Sequence, residues 1–191
     1  MFGRMMTAAL LALTAENLLL AGGAGFSRAL RAARRPSSAG FYALFVTAFS
    51  LGSGLAGHWL APLFSGPRQI AYPAVVAAVT AVLYLAAAAL LRKEANGFFE
   101  KYASILAQAA INTVVLAVPF VQQALGFGLS GTVGYALGTG AAFFLAVLLL
   151  EQALRICSNP DMPRAFSGLP GVFVYIGILS MAFAGFSGKV F

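Results

Sequence analysis

Residues 105–122 read ILAQAAINTVVLAVPFVQ, an apolar run with Asn112 and Thr113 near its middle and Pro119 two turns later. A hydrocarbon core of about 30 Å is crossed by roughly 20 apolar residues in helical form. The stretch therefore predicts a membrane span that carries a polar interruption at mid-bilayer and a helix breaker beyond it. An echo lies at residues 12–27, ALTAENLLLAGGAGFS, where Glu16 and Asn17 precede Gly22, Gly23 and Gly25. Polar groups followed by helix breakers, at matching places in the two halves, predict a membrane site built twice.

The rest of the chain agrees with a membrane setting. Of its 191 residues 61% are hydrophobic and only 9% charged, with mean hydropathy +0.90. A soluble domain carries roughly 25% charged residues. The net charge of +7 reads as topology and not as nucleic-acid binding, because the basic residues lie between apolar spans and no soluble domain remains to hold a binding face. One cysteine, Cys157, excludes an internal disulfide and an all-cysteine metal site. No HExxH, CxxC or Ser-His-Asp set is present, and the glycine-rich ALGTGA at 136–141 falls inside a span, where glycine serves packing.

Six spans are predicted, at about 5–24, 40–60, 72–91, 105–122, 131–150 and 169–186. Loops one, three and five hold Arg28, Arg31, Arg34, Arg35, Arg92, Lys93, Lys101, Arg155 and Arg164, against Arg4, Arg68 and Lys189 on the other side. The excess marks the cytoplasmic face and places both termini outside it. Positive charge after the first span also favours a retained helix over a cleaved signal peptide. His58 and Trp59 then read as an anchor at the outer interface. Three spans per half, about 1–95 and 96–191, insert with opposite orientation, which is an inverted 3+3 repeat with its site near the midplane on interrupted helices. The fold class is thus an all-α integral membrane protein in a single domain, with its first and fourth helices broken. In span 5 glycines 131, 134, 138 and 140 predict a packed first half, and the leucines beyond predict a lipid-facing second half. Glu151 and Arg155 stand four apart and read as a solvated pair, and Gln108 extends the polar stripe of span 4. Pro160 and Pro163 end any continuation of span 5.

The C-terminal part carries a pattern: Pro163, Phe166, Gly168, then Gly177, Ser180, Ala182, Phe183 and the run Gly185-Phe186-Ser187-Gly188. With the spacing from Arg92-Lys93 to Asn112 and from Asn17 through Gly25 to Arg34-Arg35, it resembles the small six-span membrane subunits of the Rnf (Rsx) and Nqr respiratory complexes. The resemblance covers nearly the whole chain, span 5 loosely. It implies an inverted repeat that pairs with a homologous six-span subunit in a bacterial-type cytoplasmic (inner) membrane. It also implies a complex that couples NADH, ferredoxin or quinone redox chemistry to Na⁺ or H⁺ translocation. Flavins are expected only in partner subunits.

The family's broken helices each offer a cysteine to an intramembrane [2Fe–2S] cluster. Here those positions are Ser27, after Gly25-Phe26, and Thr113, after Asn112. Iron–sulfur clusters take thiolates, so no cofactor is expected for this chain alone. Glu16 is costly at a helix centre, by about 2.5–3.5 kcal/mol on insertion scales. Two readings stay open: a cation or proton site shared with Asn17, Asn112 and freed carbonyls, or a neutral carboxyl that pins packing. Gly25 and the two asparagines belong to the same candidate ion path or helix-break site. The functional expectation is a membrane subunit of an Rnf/Nqr-type complex. The alternatives are a stand-alone inverted-repeat transporter or channel, or a non-redox structural paralogue.

Overall fold

The computed structural model describes residues 1–64, 66–159 and 162–186. Pro160, Asp161, Lys189 and the Ser187-Gly188 end of the C-terminal pattern lie outside these residues. Among the described residues the structure is helical and has no strand. The helices are α1 (Phe2–Leu13), α2 (Phe26–Ala33), α3 (Pro36–Leu60), α4 (Tyr72–Glu94), α5 (Asn96–Ala110), α6 (Thr113–Ala124), α7 (Leu129–Cys157) and α8 (Leu169–Phe186). Short 3₁₀ turns at Ala61–Leu63 and Gly66–Ala71 join α3 to α4.

Among the described residues five helical segments are long and apolar enough to cross a membrane: Pro36–Leu63, Arg68–Glu94, Asn96–Ala124, Leu129–Cys157 and Leu169–Phe186. The predicted first span takes another form. Helix α1 ends at Leu13, and its 12 residues cover about 18 Å at 1.5 Å per residue, well short of the hydrocarbon core. A string of turns then carries the chain through residues 14–25 before α2 begins. Glu16 therefore lies in these turns and not on a continuous helix, so its depth cannot be reckoned from helical rise.

Helix α7 is the hub and packs against α1, α2, α3, α6 and α8. Its contact with α1 depends on the absence of side chains. A Cβ at Gly134 would strike the carbonyl of Met5, and one at Gly138 would strike that of Ala9. Spaced four apart, these glycines let the two backbones touch, which is how membrane helices gain dispersion contacts without help from a hydrophobic effect. The expectation for the second half of this helix is corrected. Phe143, Ala146, Val147 and Leu150 are fully buried there, while Phe144, Leu145 and Leu148 on the opposite face are exposed. α2 and α3 pack against α7, and the exposed residues of this half lie on the opposite stripe. Cys157, placed by sequence in a polar loop, is instead the buried last residue of α7.

Helices α4 and α8 are peripheral and show Val82, Leu85, Phe173 and Ile178 to the surroundings. The Glu151–Arg155 pair forms as expected, with Arg155 Nη2 2.6 Å from Glu151 Oε1 and the arginine largely exposed. The Glu151 side chain is only 14% exposed, so the pair is only partly solvated, and an i,i+4 pair of this kind contributes about 0.3–0.5 kcal/mol.

The close α1–α7 approach yields a direct test. Gly138→Val should lower the unfolding midpoint in detergent by an amount equivalent to about 1–3 kcal/mol, the usual cost of overpacking. Gly177→Val, on α8 where no atom comes within 4 Å of the added Cβ, should leave it nearly unchanged.

Candidate functional site

Two asparagines create the two interruptions by the same local chemistry. Asn112 takes an extended backbone (φ −85°, ψ 131°) between α5 and α6, and its Oδ1 accepts the Val114 N–H at 3.1 Å. A side chain that satisfies a free amide two residues on starts a new helix in place of continuing the old one. Asn17 does likewise: its Oδ1 accepts the N–H groups of Leu19 and Leu20 at 3.1 and 3.0 Å, while its Nδ2 donates to the Leu13 carbonyl at 3.3 Å. Both asparagines are fully buried. Burial of an amide is costly without such partners; Asn17 uses both ends of its amide, whereas Asn112 Nδ2 has no hydrogen-bond partner among the described residues.

The break in the second half thus falls at Ile111–Asn112 and not at Pro119, which sits inside α6. Proline lacks the N–H that the carbonyl four residues earlier would accept. That carbonyl belongs to Val115, and it accepts instead from Ser53 Oγ of α3 at 2.9 Å. With this replacement the helix continues through the proline.

Gly25 brings the two breaks together. Its N–H donates to Thr113 Oγ1 at 2.7 Å, a contact between residues 88 apart in sequence. Its φ of +72° lies in the left-handed region that side chains disfavour. A Cβ there would also stand 2.5 Å from Asn112 Oδ1 and 2.6 Å from Val114 Cγ2. Two independent constraints therefore require glycine. Further carbonyls near the breaks are served from other helices: Tyr135 Oη donates to the Glu16 carbonyl and Tyr42 Oη to the Gln108 carbonyl, each at 3.1 Å.

Of the residues predicted to form a site, the structure joins Gly25, Asn112 and Thr113 directly. Asn17 packs with Val114, Thr139 and Phe143 in one closed seam. Ser27 and Thr113, at the first turns of α2 and α6, are both exposed, beside a fully buried Asn112. Glu16 is half-buried, and its carboxylate makes no hydrogen bond or ion pair with any described residue. No bond links it to Asn17 or Asn112. The Gln108 side chain turns to Ser104, 3.0 Å away, and not toward the break.

The donor chemistry at the joined breaks is two neutral hydroxyls and amide oxygens. Thiolates hold iron–sulfur clusters, and hydroxyl oxygen is a poor ligand for so soft a centre. The residues present do not fit a [2Fe–2S] group. Among the described residues no three of His, Cys, Asp and Glu gather as a metal site. Cys157 packs against Gly171 at the far end of α7.

Sequence reasoning did not single out Ser53, Tyr42 or Tyr135. A signal existed for Ser53 alone, since Pro119 in a span implies a donor for the Val115 carbonyl. The joint itself is testable. Thr113→Val keeps the shape but leaves the buried Gly25 N–H without an acceptor, which should cost about 1–3 kcal/mol in denaturation measured in detergent. Thr113→Ser should retain most of the stability.

No family model matches the chain. It is similar to one subunit of the proton-translocating ferredoxin:NAD(+) oxidoreductase complex of Clostridium ljungdahlii, 31% identical over 101 residues, 53% of this chain and 52% of that one. It is also similar to one subunit of the ion-translocating oxidoreductase complex of Aromatoleum aromaticum, 29% identical over 147 residues, 76% of this chain and 74% of the other. One subunit of the Na(+)-translocating NADH-quinone reductase of Azotobacter vinelandii is 26% identical over 119 residues, 62% of this chain and 57% of that one. The chain spans about half the length of the Clostridium relative that it matches and about three quarters of the Aromatoleum one.

Proposed function

We propose that this chain, a divergent member of the small Rnf and Nqr membrane subunit family, serves in a complex that couples electron transfer to cation translocation. In such a complex, redox chemistry of NADH, ferredoxin or quinone would drive Na⁺ or H⁺ across the membrane. The observation that carries the reading is the docking of the two helix breaks through Gly25 and Thr113. It supports a site built once from each half, in a chain whose relatives are named as subunits of ion-translocating oxidoreductases.

The topology proposed is an inverted 3+3 repeat with six crossings. The first crossing is made by α1, the turns and α2 together, and the fourth by α5 and α6. Both are interrupted at an asparagine whose Oδ1 caps the amide two residues on. The basic loops face the cytoplasm of a bacterial-type inner membrane, with both termini outside.

The exposed face that holds Ser27, Ile111 and Thr113 is where a homologous six-span partner would sit. With hydroxyls in place of thiolates, this chain contributes scaffold and ion path and no cluster ligands of its own. Electron carriers, flavins included, reside in partner subunits. Glu16 is assigned to the cation path, because its carboxylate is half-buried beside the first break and forms no bond with the described residues. An acid so placed in a membrane protein points by default to a proton or ion route.

Purification of the tagged chain from its native membrane in mild detergent should recover partner subunits that carry iron and flavin. Recovery of the chain alone, with neither, would remove the redox-complex reading. In reconstituted vesicles of the intact complex, Glu16→Gln should cut donor-driven Na⁺ or H⁺ uptake about tenfold, a barrier change near 1.4 kcal/mol. Unchanged uptake of both ions would take Glu16 out of the path.

A further inference from the structure

Among the described residues four buried side-chain atoms have no hydrogen-bond partner, and three of them lie where α3 meets α6 and α7. They are Ser50 Oγ, Gln122 Oε1 and Thr132 Oγ1. On α3, Ser50, Ser53, Gly54 and Gly57 follow the i, i+3, i+4, i+7 spacing of one helical stripe, and all four are buried. This stripe is the α3 side of the seam. A Cβ at Gly54 would lie 3.2 Å from the unpartnered Gln122 Oε1 and 3.4 Å from the Thr132 methyl Cγ2, so the residues of α6 and α7 that carry two of these atoms both pack over a single glycine.

The orientation of the Gln122 amide follows from its surroundings. Its Nε2 donates to the Gly54 carbonyl at 2.7 Å. Reversing the amide would set two acceptor oxygens against each other, so Oε1 is the atom left to face the seam. Buried oxygens of this kind are costly when dry and are commonly served by internal water.

Gln122 is also the inner wall of an open cavity of about 270 Å³, which His58, Pro62, Gln123 and Phe127 line as well. At about 30 Å³ per water in the liquid, this volume holds several molecules. The same side chain thus borders bulk-accessible space on one side and unsatisfied polar atoms on the other.

We propose that the cavity is the mouth of a hydrated inlet, in which water held by Gln122 Oε1 and Thr132 Oγ1 enters the seam toward Ser50 and Ser53. The inlet ends at the Ser53 hydroxyl, which already donates to the Val115 carbonyl three residues beyond Asn112. Its ligand is water and not a tightly held cation. The oxygens are neutral and few, and no carboxylate faces them, whereas bound cations need several oxygen ligands. The inlet leads bulk water from the His58 face to within one turn of the second helix break. Its use in cation passage rests on the proposed function above; its existence does not.

Thiol accessibility tests it on the full chain in membrane vesicles, with Cys157→Ser as the background. The probe is Ag⁺, read by mass spectrometry as protection from later alkylation of the denatured chain. Thr132→Cys should react at least about tenfold faster than Val147→Cys, a fully buried control on the same helix, a ratio worth roughly 1.4 kcal/mol. Ala61→Trp, at the mouth, should slow the Thr132→Cys reaction. Equal rates at the two cysteines would overturn the inlet. Thr132→Val, a near-isostere, supplies a readout that needs no cysteine. A hydrated hydroxyl predicts a Tm lower by about 2 °C or more, and a dry orphan predicts a rise; a rise would likewise overturn it. Neither measurement uses electron donors or partner subunits, so a dry seam defeats this inference and leaves the complex reading to its own test.

Discussion

A backbone that leaves the helix inside a bilayer must find new partners for every amide and carbonyl it frees, because lipid offers none. The architecture of this chain follows from that requirement, met twice. At each break an asparagine satisfies the nearest amides from its own side chain. The remaining groups are served across helices: Thr113 accepts from Gly25, Ser53 donates to the Val115 carbonyl, and Tyr135 donates to the Glu16 carbonyl. These bonds tie α1, α2, α3, α6 and α7 to one another. The interruptions are therefore the places where the bundle is stitched together, and the close α1–α7 glycine contact holds the frame in which the stitches can form.

The hydroxyl of Thr113 acts at the same joint. A hydroxyl at 113 is a good acceptor for the Gly25 amide, so the position has a structural use that requires no metal. Both hydroxyl positions nevertheless remain on the surface, beside a buried Asn112.

Much of this was legible in the letters. Apolar run lengths disclosed the membrane class, and Asn17 and Asn112 marked the breaks because an amide inside an apolar helix has so few ways to be satisfied. Pro119 was a poorer guide. The proline removes one hydrogen bond only, and Ser53, 62 residues before Val115, supplies the replacement to the Val115 carbonyl, so the helix runs on. The gradient in α7 misled for a related reason. Leu145 and Leu148 are exposed as expected, but Leu150 is buried with Phe143, Ala146 and Val147 on the face that α2 and α3 cover. Glu16, expected at a helix centre, lies instead in the turns beyond α1, which ends at Leu13.

The sequence alone determined the solvent, the positions of the two interruptions and the lack of thiolate at each, since these depend on composition and on local side-chain chemistry. Only the tertiary structure decided that the breaks meet, that Gly25 is required by both its φ and its neighbours, and that the unpaired oxygens of Ser50, Gln122 and Thr132 share one seam. The physical reason is the reach of the interactions. An asparagine caps amides two or three residues away, whereas the bonds that close the bundle join residues as far apart as 88 and 119 positions, which no local pattern records. The stretch around Asn112 announces where a helix must stop; the fold determines what it stops against.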